Sequence, residues 1–332
     1  MRQSRRAFLS AALATAAVGA LPPPTRAERS APGRLAEQII AAFDRLPGKK
    51  ALQLWAPAVD GVAEWFVALH ADAPLFCGSA FKALVLAEFL RQVEAGATSL
   101  EEPLALDEDA YSPGAPVFNP PYLSGKVRAR TVLEAMISHS DNTATDMALK
   151  RVGADRVRQF IASIGLHRTR IPTSTRQFFG YIVGDADWRT ITWSKLTQIL
   201  EKDAFKPNPI TNDSQTMVSS PRDFTSFYAR ALQGQFFQQQ TTLKTFRAIL
   251  SLADAIARVV PLGVNAFMKG GSIDFASEHA LCLAGGMWIP KRWVYFGMMI
   301  NGTDGGPIAE VEQLFGATAK QIFTWVRDGL ES

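Results

Sequence analysis

Three apolar, strand-like runs follow one another near the C-terminus, with turn residues and no helical pattern between them. They cover residues 266–273, 280–289 and 293–300. Consecutive strands joined by short turns pair antiparallel, because a parallel pair needs a crossover connection of roughly a dozen residues or more. Two further apolar runs, residues 51–55 and 64–69, lie near the N-terminus between turn residues. The sequence therefore predicts one antiparallel sheet built from both ends of the chain.

Helical periodicity dominates the segment between these two groups of strands. Residues 80–94 form the strongest predicted helix, which Gly96 ends. Further helices are predicted over residues 130–138, 143–152, 155–164 and 221–232. Residues 172–215 show the least pattern, so we expect a long functional loop there.

A predicted helix opens the chain and another closes it. The opening helix carries Leu35, Ile39, Phe43 and Leu46 at helical spacing. The closing helix covers residues 311–326 and places Leu314, Ile322 and Trp325 on one face.

The order of these elements predicts an α/β chain of the α+β kind, with an antiparallel sheet flanked by helices and an inserted all-helical lobe. We expect the sheet lobe to comprise residues 28–75 and 262–332, and the helical lobe to comprise residues 76–261. With 332 residues, 47% of them hydrophobic, the chain is large enough to bury such a core.

The first 27 residues have the features of a twin-arginine signal peptide. Arg5 and Arg6 precede an apolar stretch over residues 7–21, and residues 25–27 form a candidate cleavage site. The apolar stretch is too short for a comfortable membrane span, which argues against the alternative of an uncleaved anchor. We therefore expect export to the periplasm, with no stable membrane anchor after cleavage.

The basic charge of the chain resides in this leader. The sequence holds 35 Lys+Arg and 31 Asp+Glu, and residues 1–27 contain four arginines and no acid, which leaves 31 of each in the mature chain. The mature protein is therefore near neutral, which argues against a nucleic-acid partner.

Neither the cysteines nor the histidines form a cluster in the sequence. Cys77 and Cys282 are expected to be buried small residues, although the sequence does not decide whether they pair. The histidines are scattered without the spacing of metal ligands, at positions His70, His139, His167 and His279. We therefore predict no metal site and no cofactor.

Ser79 and Lys82 stand three residues apart at the start of the strongest predicted helix, and residues at that spacing share a helix face. A serine hydroxyl is a weak nucleophile until a base takes its proton. A lysine can act as that base where burial or a neighbouring positive charge depresses its pKa. Gly78 permits a tight turn into the helix, whose N-terminal amides can hold an oxyanion. A Ser-x-x-Lys pair alone also arises by chance in a chain of this length.

Two further groups of polar residues follow. Ser140, Asp141 and Asn142 come directly after a predicted helix, where a turn can present side chains to a cleft, and where Asp or Asn also serves as an N-cap for the next helix. Lys269, two glycines and Ser272 lie on the predicted strand 266–273, where glycines often mark close approach by a ligand. An edge-strand lysine beside a bulge is the structural alternative for this last group.

In order and spacing, the three groups resemble the Ser-x-x-Lys, Ser-Asp-Asn and Lys-Thr-Gly motifs of class A β-lactamases and penicillin-binding proteins. The similarity extends to residues 76–86 around Ser79, to residues 111–113, and to residues 136–144 around the second motif. It runs from about Leu35 to Trp325 and is weakest over residues 172–215. The chain is therefore identified as a member of this family of β-lactamase-like serine hydrolases, with the fold of that family.

The resemblance implies three catalytic roles. Ser79 attacks a carbonyl and becomes acylated, Lys82 accepts its proton, and Ser140 passes a proton to the leaving nitrogen. The backbone N–H groups of Ser79 and Ser272 form the oxyanion hole.

The resemblance also implies a set of substrate-binding residues. Tyr111 walls the mouth of the site, Asn142 binds a side-chain amide of the substrate, and Lys269 attracts a substrate carboxylate. Gly271 and Ser272 belong to the strand that borders the substrate.

Two positions depart from the family pattern. Gly270 replaces a threonine or serine whose hydroxyl helps to bind a substrate carboxylate, and Ser272, on the same face of the strand, is a hypothetical partial replacement. Residues 169–179 contain no acid where class A β-lactamases carry the glutamate that activates the deacylating water, and Asp185 is a possible substitute. Because the loss of a positioned general base costs about 10²–10⁴-fold, we expect deacylation to be slow.

Three functions stay open on the sequence alone. The leading one is an exported serine hydrolase that forms an acyl-enzyme through Ser79 with a β-lactam or a related amide or ester. The second is a D-alanyl-D-alanine peptidase or transpeptidase acting on peptidoglycan. The third is a β-lactam-binding or sensor protein that is acylated without turnover. In each case the partner is a small β-lactam or a peptidoglycan-derived molecule, and the chain is expected to act as a monomer.

Overall fold

The computed structural model describes residues 33–276, 278–302 and 308–331, so the predicted signal peptide lies outside the described residues. The strands are β1 (Lys49–Ala56), β2 (Trp65–Leu69), β3 (Leu75–Phe76), β4 (Pro103–Leu106), β5 (Gly125–Arg128), β6 (Val218–Ser219), β7 (Asn265–Phe275), β8 (Glu278–Ile289) and β9 (Arg292–Asn301).

Five of these strands form one antiparallel sheet in the order β2-β1-β9-β8-β7. Strand β1 joins the two ends of the chain, because Leu52 lies opposite Leu69 of β2 on one side and opposite Met298 of β9 on the other. Strands β7, β8 and β9 pair as consecutive antiparallel neighbours. The prediction of an antiparallel sheet in an α+β chain is therefore confirmed.

Helices occupy most of the chain between β3 and β7 and also flank the sheet. They are α1 (Arg34–Asp44), α2 (Lys82–Glu94), α3 (Ala129–Ser138), α4 (Asn142–Val152), α5 (Ala154–Ser163), α6 (Thr175–Ile182), α7 (Trp193–Lys202), α8 (Pro221–Leu232), α9 (Gln240–Leu250), α10 (Ala255–Val259) and α11 (Ile308–Glu331).

The sheet separates two helical layers. On β9, the ring of Phe296 packs against Phe323 of α11 with the ring centroids 4.6 Å apart. At the next residue, Gly297, a Cβ would lie 2.8 Å from the backbone of Pro221 in α8. Successive strand residues point to opposite faces, so α11 and α8 cover opposite faces of the sheet.

Helix α2 lies in the interior of the helical part of the molecule. All of its residues from Lys82 to Leu90 are buried, whichever side of the helix they are on. A helix that is surrounded by protein in this way is held in place on every side. The one charged group at its beginning, Lys82, is therefore carried into the interior with it.

The prediction of a long loop over residues 172–215 is wrong, because α6 and α7 lie within it. Both helices begin at a polar N-cap: Ser174 Oγ accepts from the amide of Gln177 at 3.0 Å, and Thr192 Oγ1 accepts from the amide of Lys195 at 3.2 Å. Helix α7 places Trp193, Leu196, Ile199 and Leu200 at helical spacing, a pattern that the prediction missed.

The buried face of the closing helix includes Ile322 and, partly, Trp325 as predicted, but it does not include Leu314. Leu314 is 49% exposed, whereas Phe315 is buried and packs edge-on against Phe43 with the ring centroids 6.4 Å apart. The buried residues follow one another at intervals of three or four and include Val311, Phe315, Ala319, Ile322 and Val326. Ile322 belongs to this buried stripe as predicted. Leu314 lies outside the stripe, one residue before its member Phe315.

Within the described ranges, no helix is both long and apolar enough to cross a membrane.

Candidate active site

A 3₁₀ turn, Gly78–Phe81, carries Ser79 and leads directly into α2 at Lys82. The α-helix thus begins two residues later than predicted, and Ser79 lies in the turn before it. Gly78 has a φ of +50°, which favours glycine, and a Cβ there would lie 2.7 Å from the amide nitrogen of Ser272. The turn therefore needs a glycine both for its conformation and for its close contact with β7.

Strand β7 passes this turn at very short range. A Cβ at Gly271 would lie 2.1 Å from the carbonyl oxygen of Cys77 and 2.6 Å from the amide nitrogen of Ser79. No side chain fits in that space, so a glycine is what lets the strand approach. The approach brings the backbone nitrogens of Ser79 and Ser272 to the contact between turn and strand, and both residues line the same cleft.

The amine of Lys82 is completely buried and meets the second motif. Lys82 Nζ donates to the Ser140 carbonyl oxygen at 2.5 Å and to Asn142 Oδ1 at 2.7 Å, and lies 3.3 Å from Ser140 Oγ. Burial holds the pKa of Lys82 well below its usual value, the charge of Lys269 lowers it further, and Asp141 and Asp146 oppose both effects. The amine is therefore suited to accept a proton.

Lys269 approaches Ser140 from β7. Its Nζ donates to Ser140 Oγ at 3.1 Å and to the carbonyl oxygen of Gly270 at 2.9 Å, and only 2% of the residue is exposed. Burial lowers the pKa of Lys269 to about 8. The hydroxyl of Ser140 thus lies between two lysine side chains, and a proton on that hydroxyl can move toward either the amine of Lys82 or a substrate.

Asp141 fixes the second motif in place. It is the N-cap of α4, and its Oδ1 accepts from the amide of Ala144 at 2.7 Å. Its Oδ2 accepts from the amides of Val117 and Phe118 at 2.9 and 2.8 Å. One buried carboxylate therefore ties the start of α4 to the segment that forms a wall of the site.

The motifs meet in an open cleft of about 470 Å³. Its lining comprises Ser79, Gly114, Ala115, Pro116, Asn119, His139, Ser140, Asn142 and Ser272. The side chains of Lys82 and Lys269 lie beneath this lining and reach it through Ser140. The structure thus brings together Ser79 and the side chains contributed by the second and third motifs.

A family model described as the β-lactamase enzyme family matches residues 34–326 of this chain. The chain belongs to the β-lactamase enzyme family. No curated protein matches its sequence. Family membership and the fold together identify it as a serine hydrolase.

Solved β-lactamases and a penicillin-binding protein have similar folds. The TLA-3 extended-spectrum β-lactamase is 12% identical with a TM-score of 0.70, and the match covers 90% of this chain and 100% of that one. A β-lactamase from Chitinophaga pinensis is 15% identical with a TM-score of 0.67, covering 89% and 99%. PBP-A is 20% identical with a TM-score of 0.63, covering 90% and 96%. Because these sequence identities are low, the comparison establishes a shared fold and nothing more.

Tyr111 is not among the residues that line the cleft. It is 6% exposed, its hydroxyl donates to the carbonyl oxygen of Leu123 at 2.8 Å, and its ring packs edge-on against Trp193. Its contacts therefore hold the segment after it in position. The cleft wall is formed instead by Gly114, Ala115 and Pro116.

Asp185 does not reach the cleft lining either. Its carboxylate binds Lys195 Nζ at 2.7 Å and accepts from the amide of Asp187 at 2.7 Å. Asp187 lies between α6 and α7, and Lys195 lies in the first turn of α7. Asp185 therefore holds the connection between these two helices in place and does not serve as a base in the cleft.

Asp146 of α4 is a buried acid that contacts the segment after the second motif. Its Oδ1 accepts from the amide and the hydroxyl of Thr175 at 2.6 and 2.8 Å, and its Oδ2 accepts from the amide of Arg176 at 3.0 Å. Burial raises the pKa of Asp146 to about 6 despite these donors. This carboxylate anchors the start of α6 and is not among the residues that line the cleft.

Sequence reasoning missed His139, Asn119 and the segment from Gly114 to Pro116 as cleft residues. His139 directly precedes Ser140, and that adjacency was the one signal available for it. The segment from Gly114 to Pro116 is held in the cleft wall because Asp141 binds the amides of Val117 and Phe118, which follow it. No local sequence pattern reveals these contacts.

Cys77 and Cys282 are free and buried, and burial raises the pKa of each thiol. In the described ranges, no cluster of three histidine, cysteine or acidic side chains is arranged to hold a metal ion.

Proposed function

We propose that this chain is an exported, periplasmic serine hydrolase that forms an acyl-enzyme through Ser79 with a β-lactam or a related amide or ester. The proposal is carried by one observation: the buried amine of Lys82, with its depressed pKa, reaches Ser140 and Asn142 beneath the cleft that Ser79 lines. A neutral amine in that position can accept the proton of a serine nucleophile. Export rests on the twin-arginine pattern of residues 1–27, and we propose that the mature chain acts as a monomer.

Acylation follows from this arrangement. Lys82 takes the proton of Ser79 as Ser79 Oγ bonds to the substrate carbonyl carbon, and the N–H groups of Ser79 and Ser272 hold the resulting oxyanion. The proton then moves from Lys82 through Ser140 Oγ, 3.3 Å away, to the leaving atom as its bond to the carbonyl carbon breaks. Lys269, 3.1 Å from Ser140 Oγ, stabilises the negative charge that develops there during the relay.

Slow deacylation is part of the proposal. Residues 169–179 contain no acid, and the carboxylates of Asp146 and Asp185 are engaged by backbone amides and neighbouring side chains. A glutamate base of the class A type is therefore missing from this part of the chain. The loss of such a base costs about 10²–10⁴-fold in the step that it serves.

The missing acid also favours a second candidate, a D-alanyl-D-alanine peptidase or transpeptidase. In that function the acyl group on Ser79 passes to a peptidoglycan amine or to water, and no loop glutamate is required. The two candidates share the acylation chemistry and differ in the substrate that is turned over.

The test is to mix the mature protein with a chromogenic cephalosporin and to follow both the product and the mass of the protein. Sustained turnover is the expected result for a β-lactamase, and a stoichiometric burst with an adduct on Ser79 supports a penicillin-binding or sensor function. Penicillin G is a suitable second substrate, because a mutant of the similarly folded PBP-A was solved as its acyl-enzyme complex with penicillin G. A D-alanyl-D-alanine peptide tests the peptidase. The absence of both turnover and a Ser79 adduct, or turnover that persists in Ser79→Ala, would contradict the acyl-enzyme proposal.

The rate of Ser79 acylation should fall as pH rises through about 8. Lys269 is charged below its pKa of about 8 and neutral above it. Above that pH, no positive charge on Lys269 stabilises the negative charge that develops on Ser140 Oγ. Arginine stays charged throughout this range, so Lys269→Arg should move the fall to higher pH. Stopped-flow acylation rates from about pH 6 to about pH 10 provide the measurement. A fall near pH 8 that persists in the variant would assign it to another group.

A further inference from the structure

His139 is an exposed imidazole in the wall of the cleft, beside Ser140. The other lining residues are Ser79, Ser140 and Ser272 together with glycine, alanine, proline and asparagine residues, none of which exchanges a proton readily near neutral pH. An imidazole changes its charge between about pH 5 and 8. Within the described lining, His139 is therefore the side chain best suited to take a proton from water.

The contacts of His139 with Ser138 accommodate a tautomer that carries its proton on Nδ1. Ser138 Oγ donates its only hydrogen to the carbonyl oxygen of Glu134 at 2.7 Å. The same oxygen lies 2.7 Å from His139 Nδ1, and with Ser138 Oγ donating to Glu134, Nδ1 is the donor in this pair. The neutral ring therefore keeps its lone pair on Nε2, which has no hydrogen-bond partner among the residues the structure describes.

The charged groups around His139 are few. Lys82 and Lys269 lie behind Ser140, and both are buried. The carboxylate of Glu134, on the helix that leads into His139, is paired with Arg130 at 2.9 Å. The described lining therefore holds no carboxylate that could serve as a base in place of His139.

We propose that His139 is the general base of deacylation, an inference that rests on the proposed acyl-enzyme function. Nε2 takes a proton from a cleft water as the water oxygen bonds to the acyl carbonyl carbon. The oxyanion then collapses, the bond from that carbon to Ser79 Oγ breaks, and the imidazolium returns its proton to Ser79 Oγ. The products are a free carboxylic acid, the original serine and a neutral imidazole. His139 would thereby carry the slow deacylation that remains when the loop glutamate is missing.

The test compares His139→Gln with the unmodified mature protein and with His167→Gln, an exposed histidine away from the cleft. Acylation by penicillin G or by an aryl ester should be nearly unchanged in both variants, because Lys82 serves that step. The lifetime of the Ser79 adduct, followed by mass spectrometry at about pH 7.5, should rise about 10²-fold or more in His139→Gln alone. The deacylation rate of the unmodified protein should fall at mildly acidic pH, and this fall should be missing from the variant.

Two further measurements separate catalysis from structure. Added imidazole should restore deacylation in His139→Ala, because a small base can enter the open cleft, whereas a purely structural loss is not rescued. Equal adduct lifetimes and equal pH profiles in the unmodified protein and His139→Gln would overturn this inference and leave the acyl-enzyme proposal intact. If the unmodified protein forms no Ser79 adduct with either compound, the proposed function fails and this inference fails with it.

Discussion

Acylation of Ser79 should slow by about 10²–10⁴-fold when Lys82 is replaced by methionine, because methionine fills a similar volume and removes the base. The effect follows from the position of the amine, which is buried, depressed in pKa and in contact with the hydroxyl that relays the proton. Rapid-quench mass spectrometry of the adduct with penicillin G measures the rate.

Lys150→Met is the matched control for this prediction, since Lys150 is an exposed lysine of α4 that pairs with Asp109 at the surface. It should acylate at the rate of the unmodified protein. Thermal melting of both variants shows whether the fold is retained. An acylation rate for Lys82→Met within about threefold of the unmodified protein would assign the role of base to another group.

Gly271→Ala should disrupt both the stability and the activity of the protein. Its new methyl group would lie 2.1 Å from the carbonyl oxygen of Cys77, so either β7 or the Gly78–Phe81 turn must move. Overpacking of this kind costs about 1–3 kcal/mol, and misplacing a single oxyanion donor costs about 10²–10³-fold in rate. A lowered melting temperature and a slowed acylation are the expected results.

The neighbouring glycine supplies the control. A Cβ at Gly270 would make only ordinary contacts, the nearest at 3.6 Å from a methyl group of Leu283. Gly270→Ala should therefore melt and acylate nearly as the unmodified protein does. If the two alanine variants behave alike, the close approach at Gly271 does not set the oxyanion site.

The sheet could be predicted from the sequence because its strands are apolar runs bounded by turns, and the order of those runs excludes a parallel arrangement. Helices α6 and α7 were missed because both are short, although α7 carries Trp193, Leu196, Ile199 and Leu200 at helical spacing. The displaced stripe on α11 has a similar cause: Leu314 and Phe315 are both apolar, and only packing against Phe43 decides between them.

The candidate site was accessible to sequence reasoning only through the resemblance to a family. Lys82, Ser140 and Lys269 are separated by long stretches of chain, and nothing local indicates that their side chains meet. His139 escaped notice for the opposite reason: it stands beside Ser140, yet its chemical character depends on a hydrogen bond from Ser138 to Glu134 that no motif encodes. The displacement of Tyr111 from the cleft depends likewise on contacts with neighbouring side chains and backbone.

The central pairing of the sheet joins the first strand of the chain to the last, with Leu52 opposite Met298. Strand β9 must therefore be synthesised before β1 can pair with it. Contacts between residues so far apart in the sequence make folding slow. Until then the apolar edge of β1 is uncovered and prone to aggregation. The export that we propose, by a twin-arginine route that carries folded proteins, would allow the sheet to be completed in the compartment of synthesis.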